Sequence, residues 1–180
     1  MPTSGKGFDQ TYNAQAAVDL ETMLIVESHV SQSPNDKQEV LPTVEGLNSL
    51  PEELGIVDTV VADTGYFSKN NIDICNNSDM EPLIAVGREK HNQPIQDRFN
   101  QPAPLAEDAD PVSKMKHRLK TKEGRQIYAK RKSTVEPVFG IIKQVMRFRQ
   151  FLLRGIESVQ GEWSLVAIAW NLKRMFALSR

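Results

Sequence analysis

Polar and apolar positions alternate strictly along Tyr12-Asn13-Ala14-Gln15-Ala16-Ala17-Val18-Asp19, with Tyr12, Ala14, Ala16 and Val18 on one side and Asn13, Gln15, Ala17 and Asp19 on the other. A period of two predicts a strand. Asp19 to Thr22 turns the chain, and Met23 to Val30 predicts a second strand, the pair forming a β-hairpin. Ser33-Pro34-Asn35-Asp36 has the composition of a turn feeding a helix, and Val40, Leu41, Val44 and Leu47 follow at helical spacing around Pro42. The β-branched run Val57 to Ala62 predicts a buried central strand, Ser68 caps a helix to about Asn77, and Glu81 to Val86 is a further strand. Strand, helix, strand at this spacing is a βαβ unit.

The pattern then breaks. Residues 88–122 carry Pro94, Pro102, Pro104 and Pro111 among Asn and Gln, and predict a polar loop or insertion. From Glu123 onward the chain predicts helix, interrupted near Ser133 and again near Gly155. The last helix, about Ser158 to Leu178, carries Val159, Trp163, Val166, Ile168, Trp170, Leu172 and Met175 as its apolar set. With 39% hydrophobic residues the chain can bury a core, and one domain is the default expectation. Cys75 is the only cysteine and the three histidines lie far apart, which excludes a disulfide framework and a zinc finger and points to a reducing compartment. The longest uninterrupted apolar run, Leu165 to Trp170, is too short to cross a bilayer, so the expectation is a cytoplasmic chain with no membrane partner.

Charge changes the picture. Residues 1–113 hold 6 Lys/Arg against 19 Asp/Glu, while residues 114–180 hold 16 against 4, so a formal net charge of −1 conceals halves of −13 and +12. A half that basic suits a polyanion, because each phosphate neutralised releases counterions. Asp63 follows the β-branched run directly, at the carboxyl end of a strand where open α/β sheets bind ligands; an Asx turn onto Gly65 is the alternative. Glu136 stands among Arg131, Lys132 and Lys143, and Ser133 to Glu136 also fits a capping box. Asp19 closes the polar face of the first strand and fits a hairpin corner equally well, while Asp36 suits a helix N-cap better than a ligand. Separated carboxylates of this kind suit paired Mg²⁺ or Mn²⁺ ions that activate an oxygen nucleophile and steady a leaving oxygen.

Tyr12 to Asp19, Pro34-Asn35-Asp36-Lys37-Gln38, Ala62-Asp63-Thr64-Gly65-Tyr66-Phe67-Ser68, Tyr128 to Gly140 and the ending Phe148 to Gly155 with Glu162-Trp163 and Asn171-Leu172 together resemble bacterial insertion-sequence transposases of the DDE class. The resemblance runs nearly the whole chain. It implies an α/β fold, a ribonuclease-H-like mixed sheet flanked by helices, forming a catalytic domain over 1–180 with 88–122 as an insertion and 156–180 as a C-terminal helix. It further implies three carboxylates that hold Mg²⁺ or Mn²⁺, DNA cleavage and strand transfer without a covalent enzyme intermediate, and DNA (mobile-element ends and target) as partner, with a homo-oligomer as a further option. Asp63 matches the second acid and Glu136 the third. Tyr128, Arg131, Glu136 and Lys143 resemble a Tyr-Arg-Glu-Lys signature in which Arg131 is one residue farther from Glu136 than expected and Lys132 fills the slot. The chain resembles the carboxyl-terminal part of a longer transposase, with Asp19 or an acid upstream of Met1 as the first of the three. A DNA-binding remnant without turnover is the alternative function.

Overall fold

A computed structural model describes residues 11–87, 101–106 and 108–180. The Gly-rich start and the first part of the polar excursion lie outside the described residues. Strands β1 (Asn13–Val18) and β2 (Ile25–Ser31) form an antiparallel hairpin, from Asn13 opposite Ser31 to Val18 opposite Ile25, with a bulge at Ala17/Val18. A 3₁₀ turn, Asp36–Gln38, leads into α1 (Val40–Asn48). Strand β3 (Thr59–Ala62), α2 (Lys69–Asn77) and β4 (Glu81–Ile84) make the expected βαβ unit, with β3 and β4 parallel from Thr59 opposite Glu81 to Ala62 opposite Ile84. Pro82 is tolerated because β4 pairs on one side only. Helices α3 (Pro111–Lys120), α4 (Lys122–Gln144) and α5 (Ile156–Leu178) complete the order.

The four strands do not join into one mixed sheet; the described residues hold two two-stranded sheets, β1-β2 and β3-β4. Between them run side-chain hydrogen bonds rather than a ladder: Tyr66, just beyond β3, donates its hydroxyl to Gln15 on β1. The free edge of β2 is closed by a helix. Asn171 of α5 accepts from Ile25 N and donates to Ile25 O, each at 2.8 Å, and Gln160 accepts from Val30 N at 2.8 Å and donates to Ser28 O at 3.2 Å. The two amides are eleven helical residues apart, about 16 Å at 1.5 Å per residue, which matches five strand residues from Ile25 to Val30 at 3.3 Å each. Two helical side chains thus stand in for a neighbouring strand, a known way of protecting an edge.

Ala14, Ala16 and Val18 of β1 face a core of Ile25, Val30, Val138, Ile142, Val159, Trp163, Ala167 and Trp170, built from the hairpin, α4 and α5. Ala17 turns to the opposite face, where Val40, Val44, Leu47, Cys75 and Met80 pack under α1 and α2. A third cluster, Ile72, Ile84 and Met115, seats α3 against β4. Within the predicted insertion, therefore, α3 is an ordered helix capped by Asp110, whose carboxylate accepts from Ser113 N at 3.2 Å. The α3–α4 junction requires a residue without a side chain at Gly124, since a Cβ there would stand 2.0 Å from the Arg118 carbonyl oxygen.

Two helical expectations change. The break near Ser133 is absent: α4 runs through Ser133 and Pro137 without interruption, because Thr134, Val138 and Ile142 recur at i, i+4 and i+8 and all enter the core. In α5 the buried set is Val159, Trp163, Ala167 and Trp170, whereas Ile168, Leu172 and Met175 are more than half exposed. The helix is apolar around most of its girth, so composition could not say which stripe packs.

Candidate functional site

Asp63 sits where the sequence put it, directly after β3. Its backbone is extended, and its Oδ1 accepts from Gly65 N at 2.8 Å, the Asx-turn geometry. This turn, Thr64–Tyr66, packs against the Asp36–Gln38 turn. Asn35, not Asp36, supplies the cap there, accepting from Lys37 N at 3.2 Å. Asp36 is thereby left to other partners: its Oδ1 accepts from Asn13 Nδ2 at 2.9 Å and from Gln15 Nε2 at 3.4 Å. Gly65 lies beside both carboxylates. A Cβ on it would stand 3.0 Å from Asp63 Oδ1 and 3.2 Å from Asp36 Oδ2. Burial, and then the charges of Asp36 and Asp63, push the Tyr66 hydroxyl up to about 12, so it stays a donor to Gln15.

Asp19 has a different post. At the hairpin corner it accepts from Thr22 N at 2.7 Å and from the Thr22 hydroxyl. Desolvation raises its pKa, but those bonds prevail and hold the carboxyl below its ordinary value. Gln15, which reaches the Asp63 turn through Tyr66, lies four strand residues back, about 13 Å at 3.3 Å per residue.

Helical continuity orders the basic segment. At 100° per residue Lys132, Glu136 and Lys143 share one stripe of α4, turned about 140° from the stripe of Thr134, Val138 and Ile142 that enters the core, and the half-buried Tyr128 lies between the two. Lys132, Glu136 and Lys143 are exposed. Arg131 falls toward the buried side, with a side-chain exposure of 19%; it stacks on Tyr128 at 5.9 Å and pairs with Glu136 Oε1 at 3.2 Å. The capping box read from Ser133 to Glu136 does not form, since Ser133 lies inside the helix and donates to Lys130 O at 2.9 Å. The Nζ of Lys143 lies 6.0 Å from the Phe139 ring centre. α4 packs on β3, the strand that ends at Asp63. Among the described residues, however, no three His, Cys, Asp or Glu side chains gather closely enough to hold one metal ion.

The sequence suggested Asp36 as a helix cap, whereas Asn35 caps and Asp36 meets β1. The only signal was the polar face of β1, where Asn13 and Gln15 alternate with alanines, and that face has no visible target until the fold brings the Asp36 turn over it.

The model of the transposase DDE domain family matches residues 2–172, and the chain belongs to that family. No curated protein and no solved structure matches it. Membership brings transposase-type function, DNA as the general partner and divalent-metal use as the family's habit. Among the described residues no helix is long and apolar enough to cross a membrane.

Proposed function

We propose that this chain is catalytic machinery of a cytoplasmic DNA transposase that cleaves and rejoins phosphodiester bonds at mobile-element ends with Mg²⁺ or Mn²⁺. The observation that carries the reading is Asp63: in a member of this family, an acid stands at the carboxyl end of a strand beside a bare glycine. The ribonuclease-H-like fold belongs to the same reading, with 1–180 as its domain.

The donor chemistry at Asp63 fits a hard cation, since carboxylate oxygens are its preferred ligands and Gly65 keeps the space beside them clear. Asp63 and Glu136 are the acids that would hold the metal; Asp19, the third candidate, would have to leave its bonds to Thr22. When bound, the cation would help to deprotonate the attacking water or hydroxyl and neutralise charge on the leaving oxygen. Lys132 and Lys143, exposed on the stripe that carries Glu136, grip backbone phosphates, and Tyr128 lies at the border of that stripe. Arg131 acts from behind, orienting Glu136 until a phosphate competes for its guanidinium.

Nicking of supercoiled DNA tests this. Mg²⁺-dependent nicking by the wild-type chain should disappear in Asp63→Asn and in Glu136→Gln, while both variants still bind DNA. Wild-type rates in Asp63→Asn would overturn the catalytic assignment. DNA binding without nicking in the wild-type chain would leave a binding remnant.

A further inference from the structure

We propose that Asp36 is a further carboxylate on the divalent cation held by Asp63, and that Asn13 and Gln15 hold it in position; the inference rests on the metal-dependent reading above. Its two oxygens have separate duties. Oδ1 is taken by two side-chain amides, at 2.9 Å from Asn13 and 3.4 Å from Gln15, while Oδ2 is turned toward Gly65. Asp63 Oδ1, which accepts from Gly65 N, stands close to the same point. The oxygens nearest Gly65 are therefore no farther apart than the sum of their two distances to its missing Cβ, a span that one hard cation with ligand bonds of about 2.0–2.6 Å closes with small adjustment.

The support of Asp36 is built from neutral groups. Gln15 is 8% exposed, and its amide is oriented at both ends: its oxygen accepts the Tyr66 hydroxyl, and its nitrogen donates to Asn13 Oδ1 at 2.9 Å and to Asp36. Asn13 in turn donates to Ser33 O at 3.3 Å as well as to Asp36. Such donors fix the direction of the carboxylate and leave its second oxygen for another partner. Ion pairs between described residues engage Glu21, Glu27, Glu39, Glu81, Glu123 and Glu136, and leave Asp36 and Asp63 to neutral partners. Two carboxylates facing one cleared space repel each other, and a divalent cation removes that repulsion. The Asp19 carboxylate, committed to its turn, lacks such a setting.

Mn²⁺ titration of the full chain, followed by electron paramagnetic resonance and by thermal shift, decides the matter without requiring turnover. The wild-type chain should bind Mn²⁺ saturably and melt higher with it. Asp36→Asn and Asp63→Asn should each weaken that binding at least about ten-fold and remove the thermal shift, and Gln15→Leu should weaken it about ten- to a hundred-fold. Asp36→Glu should restore part of the affinity. Melting without metal identifies any variant that fails to fold, in which case Asp36→Glu and Gln15→Leu carry the comparison. Unaltered Mn²⁺ affinity in folded Asp36→Asn, or no saturable binding by the wild type up to millimolar metal, overturns the proposal. Loss on Asp63→Asn alone would spare the metal-dependent function and sink only the role of Asp36.

Discussion

His29 shows how one residue can be read only through its neighbours. Its Nδ1 lies 3.0 Å from Glu27 Oε1 and its Nε2 lies 3.0 Å from Glu39 Oε2, so both ring nitrogens face groups that only accept. A neutral imidazole has one N–H and would turn a lone pair toward a carboxylate, one of them on the nearly buried Glu39. Desolvation lowers the His29 pKa, but the bonds and charges of Glu27 and Glu39 outweigh it and raise the value above the ordinary 6.5. The folded pKa therefore exceeds the unfolded one. The stabilisation is complete below about pH 6.5 and is lost as pH rises through the folded value. Thermal melts from pH 5 to 9 should show the melting temperature falling across that window, and His29→Gln should flatten the fall. An equal slope in both proteins would mean that His29 is neutral in the fold. Because Glu39 directly follows the Asp36–Gln38 turn, this clamp also bears on where Asp36 sits.

Elements here are held by side chains that substitute for backbone partners. Asn171→Leu would strip both bonds from the buried Ile25 peptide groups and leave a donor and an acceptor facing an apolar chain. Urea unfolding should record a loss of about 1–3 kcal/mol, the usual cost of unsatisfied buried polar groups. A variant as stable as wild type would show that water takes the place of Asn171. Helix α4 offers the opposite case. Pro137 lies inside the helix and cannot donate to the carbonyl of Ser133, so Pro137→Ala should add about 1–3 kcal/mol to stability. Sequence alone placed a break near Ser133, where Ser133 to Glu136 fits a capping box; the packing of Thr134, Val138 and Ile142 outweighs that local signal.

At the scale of the molecule, ion pairs between described residues join the acidic and basic halves at two places. Arg118 Nε lies 3.0 Å from Glu81 and Lys130 Nζ 3.9 Å from Glu21, the latter pair half or more exposed. Exposed pairs of this kind contribute about 0–1 kcal/mol, so these two do not account for the charge of the basic half. Replacing Lys132 and Lys143 together by Ala should leave the melting temperature nearly unchanged while weakening binding to unrelated DNA sequences uniformly. The salt dependence should fall by about 0.9 for each phosphate that is no longer neutralised. An undiminished salt slope would remove the outward stripe of α4 from the DNA surface.

The hairpin, the βαβ unit, the place of Asp63 at a strand end and the division of charge were all legible in the chain, because each depends on local periodicity, turn chemistry or composition. Alternation placed Asn13 and Gln15 on one face of β1, and a β-branched run ending in Asp-Thr-Gly placed an acid on a turn. Tertiary structure decided what those faces meet. It brought the Asp36 turn over Asn13 and Gln15, kept Asp19 at its corner, carried α4 unbroken through Pro137, and chose the stripe of α5 that packs. These outcomes depend on contacts between residues far apart in the chain, whose burial and hydrogen bonding can override a local preference that no periodicity corrects.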